Sequence, residues 1–134
     1  MSKKDTKIKE EYSDCETTSR EAQEIIEDFE CNGKIYKILI GKSDQNNWDI
    51  IDKSSQNDIW FHVDNQPSCH VIIQTDGELK IGRSVIKQAA TLCKENSKAR
   101  NMRKVKIIFT LIKHVKKSTD IGSVTTKKTQ HIVI

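Results

Sequence analysis

Asp58, Trp60, His62 and His70 are the residues of this chain whose types and spacing suggest chemistry first. They lie in the stretch Asp58–Ile73, where Ile59, Phe61, Val63, Cys69, Val71 and Ile73 occupy the odd positions. Alternation of this kind reads as two strands of a β-hairpin, joined by a turn that holds the chain's one proline, Pro67. Burying the odd positions pairs Phe61 with Val71 and turns Asp58, Trp60 and the two histidines to the other face, His62 opposite His70. Imidazoles titrate near neutral pH and serve as acids, bases or ligands, and a neighbouring carboxylate can orient one and raise its pKa. Asp58, His62 and His70 are therefore the catalytic candidates. The same residues could form a buried polar network that fixes strand register. Zinc needs three or four ligands and only two histidines converge, so no metal and no other cofactor is expected. Trp60 adds a surface on which a nucleobase could stack.

The second constellation is charge. Residues 1–30 hold five basic and ten acidic residues, residues 31–93 seven of each, and residues 94–134 eleven basic against Glu95 and Asp120. The net charge of +4 thus hides an acidic start and a strongly basic last third. Lys94, Lys98, Arg100, Arg103, Lys104 and Lys106 cluster, and Lys113, Lys116, Lys117, Lys127 and Lys128 follow. A helix dipole favours cations at its C-terminus, which accounts for Lys94 and Lys98 only. The rest predict phosphate contacts, which position a nucleic-acid backbone and carry little sequence information. His114 and His131 fall among these polar segments and read as surface residues.

The elements that must carry these groups are legible in outline. Residues 1–16 are charged without apolar periodicity and read as disordered. Thr18 with Glu21 fits a capping box, and Ala22, Ile25, Ile26 and Phe29 form one stripe, which predicts a short helix over about 19–30. Residues 33–41 read as a strand, 41–47 as a loop, and Trp48, Ile50 and Ile51 as the start of a short element. Ser84 caps a helix running to about Ser97. Val105, Ile107, Phe109 and Leu111 alternate as a strand, and Val124–Thr126 with Ile132–Ile134 suggests a closing hairpin. The resulting class is α+β: an antiparallel-rich β-sheet with one long helix packed on a face. Two parts are expected, an acidic extension over residues 1–32 and a globular domain over 33–134.

The sequence contains no apolar run long enough to span a membrane and no secretory h-region at its start. Cys15, Cys31, Cys69 and Cys93 form no C-x-x-C pair and read as reduced thiols, a disulfide framework being the alternative. A cytoplasmic location follows from these features as an expectation.

The motifs, in their order, resemble the NFACT-R domain, the RNA-associated module of NEMF/RqcH-type ribosome quality-control proteins. Gly41-Lys42-Ser43 with Asn46-Asn47 looks like the family's Gly-Lys/Arg-Ser…Asn loop. Asp58-Ile59-Trp60-Phe61-His62-Val63 followed by Pro67-Ser68-Cys69-His70-Val71 looks like its Asp-x-Trp-x-His…Pro-Gly/Ser-x-His-Val signature. Ala89-Ala90 with Ser97-Lys98, Val105-Lys106-Ile107-Ile108-Phe109-Thr110, Val115-Lys116-Lys117 and Gly122-Ser123-Val124 are similar to its helix, strand and closing segments. The resemblance spans about residues 33–134. It implies an RNA or ribosome context, with tRNA or ribosomal RNA as partner, and adds Lys42 to the nucleic-acid-binding candidates. The residues contain none of the full-length family's tRNA-binding amino-terminal, helix-hairpin-helix or long coiled-coil modules, so elongation of stalled nascent chains is not implied.

Two readings of function follow. The first is a non-enzymatic RNA- or ribosome-binding module related to quality control or translation, using the basic third, with the acidic start available to a protein partner. The second is an RNA-processing or RNA-modifying enzyme centred on His62 and His70. They separate on whether the two histidines line an open cleft or lie sealed beneath another element.

Overall fold

The computed structural model describes residues 23–134, so the disorder expected for residues 1–16 and the Thr18/Glu21 cap lie outside the described part. Eight strands and two helices follow in the order β1 (Ile25–Cys31), β2 (Lys34–Ile40), α1 (Asp44–Asp52), β3 (Ile59–Val63), β4 (Val71–Gln74), α2 (Arg83–Glu95), β5 (Lys106–Leu111), β6 (Val115–Lys117), β7 (Val124–Thr126) and β8 (Gln130–Val133). Six of them form one antiparallel sheet in the order β1-β2-β4-β3-β5-β8, and β6 with β7 makes a small second sheet. The class expected from sequence, an antiparallel sheet with a long helix on one face, is the observed one; a second, shorter helix is added.

The sheet's two faces follow from alternation. Ile38, Ile40, Ile59, Phe61, Val63, Val71, Ile73 and Ile107 point to one side and close against Val85, Ala89, Ala90 and Cys93 of α2. These α2 residues recur at three- and four-residue spacing, and the small alanines let the helix approach the sheet. Phe61 stacks on Phe109 with ring centres 5.4 Å apart. The opposite side gathers Leu39, Trp60 and Ile72 beneath Ile50 and Ile51 of α1 and Ile112, which lies in the 3-10 turn Ile112–His114 after β5.

Four expectations are corrected. Ser84 does not cap α2, which begins at Arg83 with Gly82 at its N-cap and no side-chain cap bond. The helix predicted over about 19–30 is, from Ile25 on, strand β1, paired along its length with β2 through a turn in which Asn32 and Gly33 have φ of 53° and 81°. Two successive positive φ angles make the tight turn that matches strand twist. Residues 41–47 are not all loop, because α1 begins at Asp44, its first turn capped by Ser43 Oγ accepting from the Asn46 N–H at 3.0 Å. The closing hairpin does not form either. β7 pairs with β6, whereas β8 pairs with β5 at the sheet edge. Cys31, Cys69 and Cys93 carry free thiols.

Candidate nucleic-acid interface

The β3–β4 register is the one alternation requires. Ile59 faces Ile73, Trp60 faces Ile72 and Phe61 faces Val71. One step beyond the ladder His62 and His70 meet with ring centres 5.1 Å apart, perpendicular. Trp60 completes the cluster, stacked on His62 at 5.6 Å and edge-on to His70 at 5.4 Å. Its indole N–H donates to His70 Nδ1 at 3.0 Å.

The cluster is assembled by the segment carrying Gly41-Lys42-Ser43 and Asn46-Asn47. The Gly41 N–H donates to the His70 carbonyl at 2.9 Å, and Asn47 Oδ1 accepts from the His70 N–H at 3.1 Å. The same Asn47 oxygen would lie 2.0 Å from a Cβ at residue 41, so only glycine fits there. Asn46 Oδ1 accepts from the Lys42 N–H at 2.9 Å. From the other side Gly122, at φ 89°, comes so near Asp44 that a Cβ would stand 2.9 Å from its Cα. Trp48 fixes the neighbouring chain by donating to the Ser123 carbonyl at 3.0 Å.

These contacts decide which groups can meet a ligand. His70 is 2 % exposed and Trp60 1 %. Burial lowers the His70 pKa to about 3, His62 pushing the same way and a hydrogen bond to the Gly122 backbone opposing. The ring is therefore neutral, accepting at Nδ1. His62 is half-buried, and burial also lowers its pKa, against the raising effects of Val63 and Asp64. Its Nδ1 is 2.6 Å from the Val63 carbonyl oxygen, which makes it the protonated nitrogen. Asp58 does not join them. Its Oδ2 accepts from the Ser55 N–H at 2.9 Å, and its Oδ1 from the Thr75 N–H and hydroxyl at 3.0 and 3.1 Å, which secures two loops. The expectation that Asp58 orients an imidazole is thus corrected: Trp60 does so. Trp60, expected to stack on a base, is closed by α1 and the 3-10 turn.

The cations separate into two groups. Lys98, Arg100, Arg103 and Lys104 are exposed on the connection from α2 to β5, and none makes an ion pair with a described residue. This connection is fixed from within, Ser97 Oγ accepting from the Ala99 N–H at 3.1 Å. Lys106 follows, 3.7 Å from Asp64. Lys113, Lys127 and Lys128 lie around His114, whose pKa is lowered by burial first and then by Lys128, Lys113 and Lys127. His114 is half-buried with Nδ1 unpartnered among the described residues, not the surface residue expected. Lys116 is exposed on β6 and Lys42 ahead of α1. Arg100 Nη1 donates within the connection to the Ser97 carbonyl at 3.3 Å, and two further expected contacts are committed elsewhere. Lys94 Nζ donates to the Ile134 carbonyl at 3.3 Å. Lys117 pairs with Asp52 at 2.7 Å and lies 5.2 Å from the centre of the Trp48 ring. Ile108 and His131, which sequence reasoning passed over as ligand contacts, sit beside His62 on the same face: His62 pairs with Ile108 and Ile108 with His131. Their positions in the alternation placed them there, but β8's partner was not readable.

One face of the sheet is thus sealed by α2, and the other holds a Trp/His/His cluster under the Gly-Lys-Ser…Asn-Asn segment. The family model for the NFACT protein RNA binding domain matches residues 28–128, and the chain belongs to that family. It is 34% identical over 94 residues to coiled-coil domain-containing protein 25 of Mus musculus, covering 67% of this chain and 45% of that protein. It is 31% identical over 94 residues to the Rqc2 homolog RqcH of Bacillus subtilis (strain 168), covering 69% of this chain and 16% of RqcH. Among solved structures, the C-terminal part of the fibronectin/fibrinogen-binding protein from Streptococcus suis matches 89% of this chain and 48% of its own at a TM-score of 0.76 and 25% identity. The chain thus spans less than half the length of these relatives. Among the described residues no helix is long and apolar enough to cross a membrane.

Proposed function

We propose that this chain is a non-enzymatic RNA- and ribosome-binding module acting in translation or ribosome-associated quality control in the cytoplasm. The observation that carries this reading is the α2–β5 connection. Four exposed cations within seven residues stand on a loop held by internal hydrogen bonds, and none forms an ion pair with a described carboxylate. Such a loop meets a phosphate backbone without reorganising. Lys106 and the group of Lys113, Lys116, Lys127 and Lys128 extend the positive surface, with Lys42 as an outlying contact. The family description and the kinship to RqcH support RNA rather than another polyanion as partner. We place the boundary between the acidic extension and the module ahead of β1, which belongs to the sheet from Ile25 on, and assign the extension a protein partner.

The enzyme reading finds less support. His70 is sealed and held neutral, Asp58 is spent on loop amides, and His62 alone reaches solvent. Reversal of Arg100, Arg103 and Lys104 to Glu tests the proposal. Binding to tRNA and ribosomal RNA should weaken at least about tenfold for all sequences alike, because phosphate contacts are sequence-independent. Full affinity in the triple variant would move the contact elsewhere on the molecule.

A further inference from the structure

We infer that the open end of the sheet's second face is a site for single-stranded RNA, whose bases lie on the row His62–Ile108–His131 while its phosphates meet cations at both ends of β5. This deepens the RNA-binding reading above and rests on it. α1 and the 3-10 turn bury Trp60 and Ile72 on this face, and Ile108 packs against the margin of that cluster while staying part-exposed. Beyond them the row His62, Ile108, His131 crosses three adjacent strands in register. His131 is exposed, and His62 and Ile108 are part-exposed. Strands lie about 4.8 Å apart, so the two imidazoles stand roughly 10 Å apart with an apolar side chain between them. At one end of β5, Lys106 pairs with the exposed Val133, just after Arg103 and Lys104. At the other end the Thr110 hydroxyl is 3.1 Å from the carbonyls of both Lys127 and Lys128. Lys106 to Thr110 is four residues, about 14 Å along the strand, a length that accommodates about four stacked nucleotides.

The chemistry of the row selects the ligand. A duplex would offer phosphates and sugars to this surface and keep its base faces inside. Ile108 and Val133 gain nothing from phosphate. His62 repels it, because its Nδ1 is bonded to Val63 and its Nε2 is an acceptor with no partner among the described residues. Unpaired bases suit both: their faces stack on imidazole and aliphatic groups, and their amino groups donate to a free ring nitrogen.

The test uses anisotropy titrations of a labelled twelve-nucleotide single strand and of the same sequence as a duplex, at one salt concentration. The proteins are wild type, His131→Ala and His131→Phe. His131 is exposed on an edge strand, so the variants should fold, as circular dichroism verifies. The single strand should bind more tightly than the duplex. His131→Ala should lose about fivefold or more on the single strand alone, and Phe should restore it. Equal binding of both forms, or a loss in His131→Ala shared by both, would overturn the base-stacking site while leaving phosphate-driven RNA binding intact. Binding of neither form would remove the RNA reading itself and leave the face to a protein partner.

Discussion

The two faces of the central sheet are made by the same strands and alternate residues, yet they end in different conditions. The face under α2 buries one continuous apolar cluster, from Tyr36 to Ile107, and one helix closes it. The other face is closed only in part. Leu39, Trp60 and Ile72 are covered by α1 and the turn at Ile112, Ile108 lies at the margin of that cluster, and His62 and His131 flank it on the less covered side. The first arrangement serves stability and tolerates little change. The second holds polar rings in fixed positions and leaves some of them within reach of a ligand. The buried part of the histidine cluster belongs to the scaffold, and its exposed edge and the cationic loop belong to binding.

The sharpest way to break this comparison is to damage the sealed face. Phe61 is fully buried against Phe109 and the α2 alanines. Phe61→Ala should cost about 3–5 kcal/mol in chemical denaturation. A loss below about 1 kcal/mol would mean that α2 does not seal this face as described.

The polar face should show itself through pH. Burial holds the His70 pKa in the folded protein at about 3, against an ordinary value of 6.5. The unfolded chain therefore takes up its proton first as pH falls. Stability is complete above about pH 6.5 and declines below it, through the window down to about pH 3. The slope from His70 is about 1.4 kcal/mol per pH unit, or about 2 kcal/mol between pH 6.5 and 5. His70→Gln should lower stability at neutral pH and flatten this slope. An unchanged slope in the variant would show that the ring takes up its proton readily in the folded protein.

The alternation in Asp58–Ile73 carried enough information to place Phe61 against Val71 and His62 against His70. What it could not carry was the covering layer. Trp60 is hidden by α1 and Ile112, distant in sequence, and nothing in its own strand announces them. The first turn of α1 reads as loop because Asp44, Asn46 and Asn47 are poor helix formers; the Ser43 cap and the burial of both asparagines hold it. β1 was misread because Ile25 and Phe29, four residues apart, satisfy both a helical and a strand period. β7 and β8 are short, and local sequence does not choose their partners. The cationic residues were legible as a count, but only the fold divides free cations such as Arg103 from committed ones such as Lys117.

That division gives the smallest effect. Lys117 is partly exposed, and its pair with Asp52 is screened by solvent. Lys117→Ala should change stability by about 0.5 kcal/mol and leave RNA affinity unaltered. A marked loss of affinity would place Lys117 among the phosphate contacts and show the committed cations to be available after all.

The salt dependence of RNA binding bears most directly on the central claim, that free cations on the α2–β5 connection grip phosphates. If Lys98, Arg100, Arg103 and Lys104 each meet one phosphate of a single strand, and Lys106 of β5 leaves Asp64 to meet a fifth, log K should fall against log salt with a slope of about −3.5. The Arg100, Arg103 and Lys104 to Glu variant should flatten that slope to about −1.5 or less. A wild-type affinity indifferent to salt, or a triple variant with the wild-type slope, would contradict the account.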